Sequence, residues 1–491
     1  MTTGSATVTL RTDARIGRIH PNLYGHFAEH LGRCIYEGLW VGEDSAIPHL
    51  RGIRQDTVCL LRELGAPVIR WPGGCFADDY HWEDGVGPRD QRPRRLNLWW
   101  PAEESNHFGT HEFIDVCRQV GAEPYICLNV GSGSPREARD WIEYCNAEGN
   151  TTLANRRRAH GHSQPFRVRY FGVGNENWGC GGQFDPVDYA KEYRRYACFL
   201  RAVGQDVQLI ACGHTTADWN LRFLEAAEGA SIDHLSIHRY YGSGPSTGFS
   251  EADHYQLVAR AHQVESDIDQ TAAALRLLRP GSRVGIILDE WGVWHPEARA
   301  DSGLEQANTM RDAVSAATVL NILNQRADVV TMANIAQTVN VLQCVVQTDG
   351  AACWPTPTYH VFRMFRPHMG ANAFVADVDG PTVEYAAADG ARPSMPAVHA
   401  SASARTDDGA MCVTLANRHL SEDIECRIAL PGGTIGEANA IQLAGATADA
   451  HNTADAPDSV RPVEAHVERS GNEVRVILAK CSVAAIRLRV G

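Results

Sequence analysis

A chain of 491 residues is too long for one compact domain and calls for a large unit joined to a smaller one. Its 44% hydrophobic and 21% charged content belongs to a globular protein and excludes a disordered one. The net charge of −14 repels phosphate backbones and anionic lipid, which sets aside nucleic-acid and membrane partners and favours a neutral small-molecule substrate.

The N-terminal MTTGSATVTLRTDARIG has no basic segment followed by an apolar run, so it does not read as an export signal. No stretch approaches the roughly 18 apolar residues of a membrane helix. The expected location is the cytoplasm. Within that N-terminal segment Ala6–Leu10 reads as a strand. Further apolar runs follow at Leu23–Ala28, Pro67–Trp71, Pro124–Val130, Val168–Val173, Val207–Cys212, His234–His238, Val284–Leu288 and Val329–Ile335. Continuous apolar runs, as opposed to alternating ones, suit strands buried on both faces of a parallel sheet. Helical periods lie between them at Asp56–Leu64, His111–Val120, Pro135–Cys145, Pro186–Val203, Tyr255–Leu278 and Leu304–Asn324, and Pro135 and Pro186 sit where a first helical turn accepts proline. The alternation predicts an α/β fold, a (β/α)8 TIM barrel over residues 15–368. A doubly wound open sheet is the alternative, but no GxGxxG follows the first strand.

After about residue 370 the pattern becomes all β. Short runs at Ala397–Ala404, Met411–Leu415, Ile424–Leu430, Glu464–Val467 and Val474–Leu478 alternate with Gly-, Asp- and Pro-rich loops. These predict a jelly-roll-like β-sandwich over 369–491, joined by a strand from residues 1–14.

Two carboxylates fall at the C-terminal strand ends where a barrel places its chemistry: Glu176 in FGVGNENWGCGG and Glu290 in VGIILDEWGVWH. An isolated Glu at a strand end is more often a cap or an ion pair, but each of these is set among Trp and Gly. Retaining glycosidases need such a pair about 5–5.5 Å apart, one to attack the anomeric carbon and one to protonate the leaving oxygen and then activate water. Glu290 is the expected nucleophile and Glu176 the expected acid/base. Asn175 is placed to bond the sugar 2-hydroxyl, and Trp178, Trp291 and Trp294 offer flat faces to a sugar ring.

Taken together, YGHFAEHLGRCIYEGLW, IRWPGGCFADDYHWEDGVGP, SNHFGTHEF, GNENWGCGG, SIHRYY, DEWGVW and MANIAQTVNVLQ resemble, in order, the motifs of glycoside hydrolase family 51, the α-L-arabinofuranosidases. The resemblance covers nearly the whole chain. It implies an exo-acting, retaining hydrolase without cofactor or metal, acting on arabino-oligosaccharides and assembled as a homo-oligomer, often a hexamer. It also implies that Glu29 grips furanose hydroxyls, that Arg70 orients the nucleophile, that His238 lines the pocket and that Tyr240 hydrogen-bonds the nucleophile. Another furanoside such as a galactofuranoside, a β-glucan, or sugar binding without turnover are the rival readings.

Two positions depart from the family pattern. Cys75 follows the paired glycines where many members carry a sugar-binding Asn, and Thr356 is the nearest match to a sugar-contacting Gln near Trp354. The fourteen cysteines include no CxxC pair, so most are expected to be reduced and buried, and zinc is disfavoured. Cys75 and Cys180 lie just beyond strand ends that carry site residues. That leaves either neighbouring thiols or a disulfide open at the pocket rim.

Overall fold

The computed structural model describes residues 4–490 apart from 205, 388–389 and 408. Residues 1–3 of the expected N-terminal strand, and residue 491 of the expected sandwich, therefore lie outside the described residues.

Eight parallel strands close into a barrel: Gly25–Phe27, Val68–Trp71, Glu123–Leu128, Tyr170–Val173, Gln208–Cys212, His234–Tyr241, Gly285–Val293 and Val330–Ala336. They pair in chain order, each hydrogen-bonded to the next and the last to the first. The apolar runs predicted them because both faces are covered. Val68, Tyr125, Tyr170, Ile210, Ile287 and Met332 pack together as one buried layer inside the cylinder. The opposite faces meet the helices, where Trp291 lies fully buried and stacked on Phe362. Trp291 is thus a packing residue between barrel and helix layer, not the pocket wall expected of it, because alternate side chains of a strand face opposite ways.

The helices differ from expectation in several places, and Thr152–Ala159 and Ala217–Ala226 are two that the sequence reading did not assign. The Tyr255–Leu278 period divides into Glu251–Ala261 and Gln263–Leu278 at His262, where both halves are amphipathic and only the turn between them interrupts the pattern. Leu304–Asn324 begins late, at Met310, because Thr309 and Asp312 form a reciprocal capping box there. Pro357–Phe365 is a helix the sequence reading did not assign, with Pro at its first turn and Thr356 as its N-cap.

The β-domain is one ten-stranded, mostly antiparallel sheet. Its first strand, Gly4–Arg18, runs past the expected end at residue 14 and lies between Asn372–Asp379 and Ile424–Ala429. The sheet curls, so that Gln442 near one edge donates to Ile477 O and accepts from Ala479 N near the other. The domain seats on the barrel helix Met310–Gln325 through a buried polar network. Asn321 Oδ1 accepts from Ser401 and Thr414, each at 2.7 Å, and Asn324 joins Ser401 to Tyr24.

Candidate active site

The site is built at the C-terminal ends of the barrel strands, and a bulge shapes it. The sixth and seventh strands pair Ile237 with Leu288 and then His238 with Glu290, which leaves Asp289 as the extra residue. Successive side chains of a regular strand point to opposite faces; a bulge lets two successive carboxylates turn the same way. Both reach Arg70, with Asp289 Oδ2 3.3 Å from Nε and Glu290 Oε1 2.6 Å from Nη1. Asp289 is further held by Tyr125 Oη at 2.7 Å and Asn334 Nδ2 at 2.8 Å.

Arg70 is fully buried and lies over the Phe27 ring, 4.6 Å from its centroid. Its second terminal nitrogen donates to Asn175 Oδ1 at 2.6 Å. The carbonyl oxygen of Asn175 is thus engaged, and its Nδ2 lies 3.8 Å from Cys180 Sγ. Tyr240 donates to Glu290 Oε2 at 2.7 Å. Burial alone raises a carboxyl pKa, but the charges of His238 and Arg70 and the bonds from Arg70 and Tyr240 outweigh it, so Glu290 is held below its ordinary value. It is an ionised carboxylate at neutral pH.

Glu176 stands in the loop after the fourth strand with a left-handed φ of 41°. A non-glycine residue pays for that conformation, and such strain collects at functional sites. The loop is pinned by Asp78, whose Oδ2 accepts from Asn175 N at 2.7 Å while Oδ1 accepts from Val130 N and Gly131 N. His238 Nδ1 lies 3.0 Å from Glu176 Oε1 and 3.6 Å from Glu290 Oε1. Burial opposes protonation of His238, but the Glu290 charge and the Glu176 hydrogen bond prevail and raise its pKa. One side-chain donor atom each of Glu176, His238 and Glu290 falls within 4.8 Å of the others. Glu176 and Glu290 thus bring carboxylate oxygens within 4.8 Å of each other, both beside His238 Nδ1.

Glu29 joins them from the loop after the first strand, accepting from Phe76 N at 3.2 Å, Trp100 Nε1 at 3.2 Å and Gln337 Nε2 at 2.9 Å. Burial and then repulsion from Glu290 raise its pKa to about 7 against those three bonds. The paired glycines before Cys75 are explained here. A Cβ on Gly73 would sit 2.9 Å from Glu29 Oε1, and one on Gly74 3.0 Å from Glu290 Oε1.

The remaining expected residues divide. Trp294 packs its ring edge-on to Tyr240 at 5.4 Å, and Trp178, partly exposed, lies edge-on to His214 at 4.4 Å. Thr356 does not reach the site. Its hydroxyl is fully buried, donates to Cys344 O and Val345 O, and caps a helix by accepting from Tyr359 N. Cys75 is not a thiol, because it is bonded to Cys180 in a disulfide with Cα atoms 5.5 Å apart. Trp100 and Gln337 are the residues sequence reasoning missed. Trp100 is presented by Asn97, whose Nδ2 donates to His30 O while its Oδ1 accepts from Trp99 N and Trp100 N. An Asn two and three residues ahead of a tryptophan pair was the available signal.

Comparison with known proteins meets the same picture. The profile described as "Alpha-L-arabinofuranosidase 1 domain" matches residues 60–260, and "Alpha-L-arabinofuranosidase C-terminal domain" matches 289–482. An "Intracellular exo-alpha-L-arabinofuranosidase" of Bacteroides ovatus is 37% identical over 99% of this chain and 96% of its own length. The crystal structure of the GH51 arabinofuranosidase from Xanthomonas axonopodis pv. citri superposes with a TM-score of 0.94 at 38% identity, covering 99% of this chain and all of that one. An arabinose complex of the Thermotoga maritima α-L-arabinofuranosidase gives 0.87 at 32% identity, covering 99% of each. Matched by both domain profiles and by a relative alike along nearly its whole length, the chain belongs to the α-L-arabinofuranosidases of glycoside hydrolase family 51.

Proposed function

We propose that this chain is an exo-acting, retaining α-L-arabinofuranosidase that removes terminal arabinofuranosyl groups by double displacement, with Glu290 as nucleophile and Glu176 as acid/base. The observation that carries the reading is the pair of facing carboxyl groups, whose nearer atoms lie within 4.8 Å, with only Glu290 clamped by Arg70 and Tyr240. A separation near 5 Å leaves no room for a water between sugar and base, which favours attack by the carboxylate itself. Held ionised, Glu290 attacks the anomeric carbon. Glu176 protonates the departing glycosidic oxygen and then takes a proton from the water that releases the sugar. Glu29, with Trp100 and Gln337 behind it, holds the furanose hydroxyls, while Asn175 Nδ2 reaches the 2-hydroxyl.

The reading extends to a cytoplasmic homo-oligomer working on short arabino-oligosaccharides. The word intracellular in the name of the Bacteroides ovatus relative supports the place. Exposed Leu96, Leu98 and Trp99, close together on one hairpin, support the association.

Glu290→Ala is expected to abolish turnover of nitrophenyl α-L-arabinofuranoside, with azide restoring part of it as a glycosyl azide of inverted configuration. Glu176→Ala is expected to keep measurable release of activated phenols while losing most activity on arabino-oligosaccharides. Product stereochemistry by NMR and initial rates read both. Wild-type rates in either variant on the natural oligosaccharide would overturn the assignment.

A further inference from the structure

The Cys75–Cys180 bond closes directly on the carboxyl group of Glu176. Cys75 opens the 3-10 turn Cys75–Asp79 beyond the second barrel strand, and Cys180 follows Glu176 by four residues in its loop. His238 occupies Glu176 Oε1, so Oε2 is the oxygen that faces the sulfur, 3.7 Å from Cys180 Sγ. One donor atom each from Cys75, Glu176 and Cys180 falls within 4.8 Å of the others, and all three residues are partly exposed. Twelve further cysteines among the described residues carry no such bond. In a reducing compartment a disulfide at a reaction centre is usually transient or redox-sensing rather than structural.

Opening the bond does not let the two segments drift. Asp78, three residues from Cys75, still accepts from Asn175 N, Val130 N and Gly131 N. The reduced sulfurs therefore stay side by side, with a carboxylate beside them. Two thiolates and a carboxylate converging on one point, with a fourth position open to water, form a donor set for a thiophilic, tetrahedral cation and a poor one for Mg2+ or Ca2+.

We propose that the reduced Cys75–Cys180 pair and Glu176 together bind a thiophilic divalent cation, with Zn2+ as the type, and that the bound ion takes Glu176 out of the reaction. A dithiol supplies the reduction. Two electrons and two protons pass to the Cys75–Cys180 bond, giving two thiols, while the dithiol closes to its own disulfide. The cation then displaces both thiol protons and forms two metal–sulfur bonds, with Glu176 Oε2 as third ligand and water as fourth. Bonds of about 2.3 Å place tetrahedral sulfurs about 3.8 Å apart, a separation that side-chain rotation supplies. A carboxylate bound to the ion can neither donate a proton to the leaving oxygen nor accept one from water. The bond thus protects the site from metals under oxidising conditions, and its reduction exposes the enzyme to them.

The inhibitory half rests on Glu176 being the acid/base; the binding half does not. The test uses the full chain carrying Cys59→Ser and Cys198→Ser, which removes the two exposed thiols. It is reduced with a phosphine, freed of reductant under nitrogen, and titrated with Co2+. A thiolate-to-cobalt charge-transfer band saturating at one ion per chain, displaced by Zn2+ and absent from the oxidised protein, is the expected result. The band should vanish in Cys180→Ser and Cys75→Ser, and Glu176→Gln should weaken binding at least tenfold without removing it. Zn2+ should lower the turnover of the reduced enzyme more than tenfold, reversibly with chelator, and leave the oxidised enzyme untouched. Lack of the band on reduction, or its persistence in either serine variant, overturns the site. A band with full turnover in the Zn2+-loaded enzyme overturns only the inhibitory half and places the fault with the role given to Glu176.

Discussion

Glu29 carries a charge that the fold tolerates poorly. It is buried, faces Glu290, and titrates near 7 instead of near 4.5. The folded state therefore binds a proton that the unfolded chain has released over that interval, and stability falls as pH rises from about 4.5 to 7. Glu29→Gln should remove that cost, worth at most about 3.5 kcal/mol, because each displaced pKa unit is about 1.4 kcal/mol. The new amide can be accommodated: Phe76 N and Trp100 Nε1 still find an oxygen, and Gln337, whose Oε1 is buried without a partner, can turn its amide to accept from the other side. The variant should melt higher than wild type at pH 8 and by a much smaller margin at pH 5 in scanning calorimetry, while losing furanoside affinity. A gain as large at pH 5 as at pH 8 would contradict the account. At this scale the sequence was legible where a residue lay towards the end of a strand. Glu290, Arg70, His238 and Tyr240 lie in the C-terminal halves of strands and Glu176 just beyond one, and the barrel brings strand ends together. It was illegible where a loop delivers the group, as with Trp100 and Gln337. Thr356 was misread because closeness to Trp354 in sequence says nothing of direction: the chain turns there into a helix that needs a cap.

Among the elements, the seventh strand does the most with the least. A single inserted residue, Asp289, puts two carboxylates on one guanidinium, and nothing in DEWG announces which residue is the extra one. The eight apolar runs announced the barrel because both faces of each strand are covered. The break at His262 was invisible, since the apolar period continues on either side of it. The polar network between barrel and β-domain was also invisible in sequence, because hydroxyls and amides leave no apolar period. Asn321, buried on the helix Met310–Gln325, receives the hydroxyls of Ser401 and Thr414, and those hydroxyls lie 3.0 Å from each other. Asn321→Ala leaves buried hydroxyls short of an acceptor, at a cost of about 2–3 kcal/mol. Urea unfolding should show a lower midpoint, with the β-domain signal lost ahead of the barrel signal. An unchanged, single transition would mean that the apolar contacts alone hold the domains together.

The whole molecule carries 59 acidic against 45 basic side chains, and its field extends beyond the pocket. An oligosaccharide bearing a uronic acid should therefore meet repulsion that a neutral one does not. Raising salt from 0.01 to 0.15 M shortens the screening length from about 30 to about 8 Å, so KM for the anionic substrate should fall while that for the neutral substrate stays constant. Equal salt dependence for both would remove long-range charge from the account. The strand Gly4–Arg18 has a consequence of another kind. Its neighbours begin at Asn372 and Ile424, so this strand leaves the ribosome long before the partners it pairs with. At about 5–20 residues per second, a ribosome takes tens of seconds to deliver those neighbours. During that time the barrel can assemble while Ala6, Val8 and Leu10, buried in the finished sheet, lack the strands that cover them. Newborn chains are thus open to chaperones and proteases at this strand until its neighbours arrive, and deleting it should weaken a β-domain whose other strands lie far along the sequence.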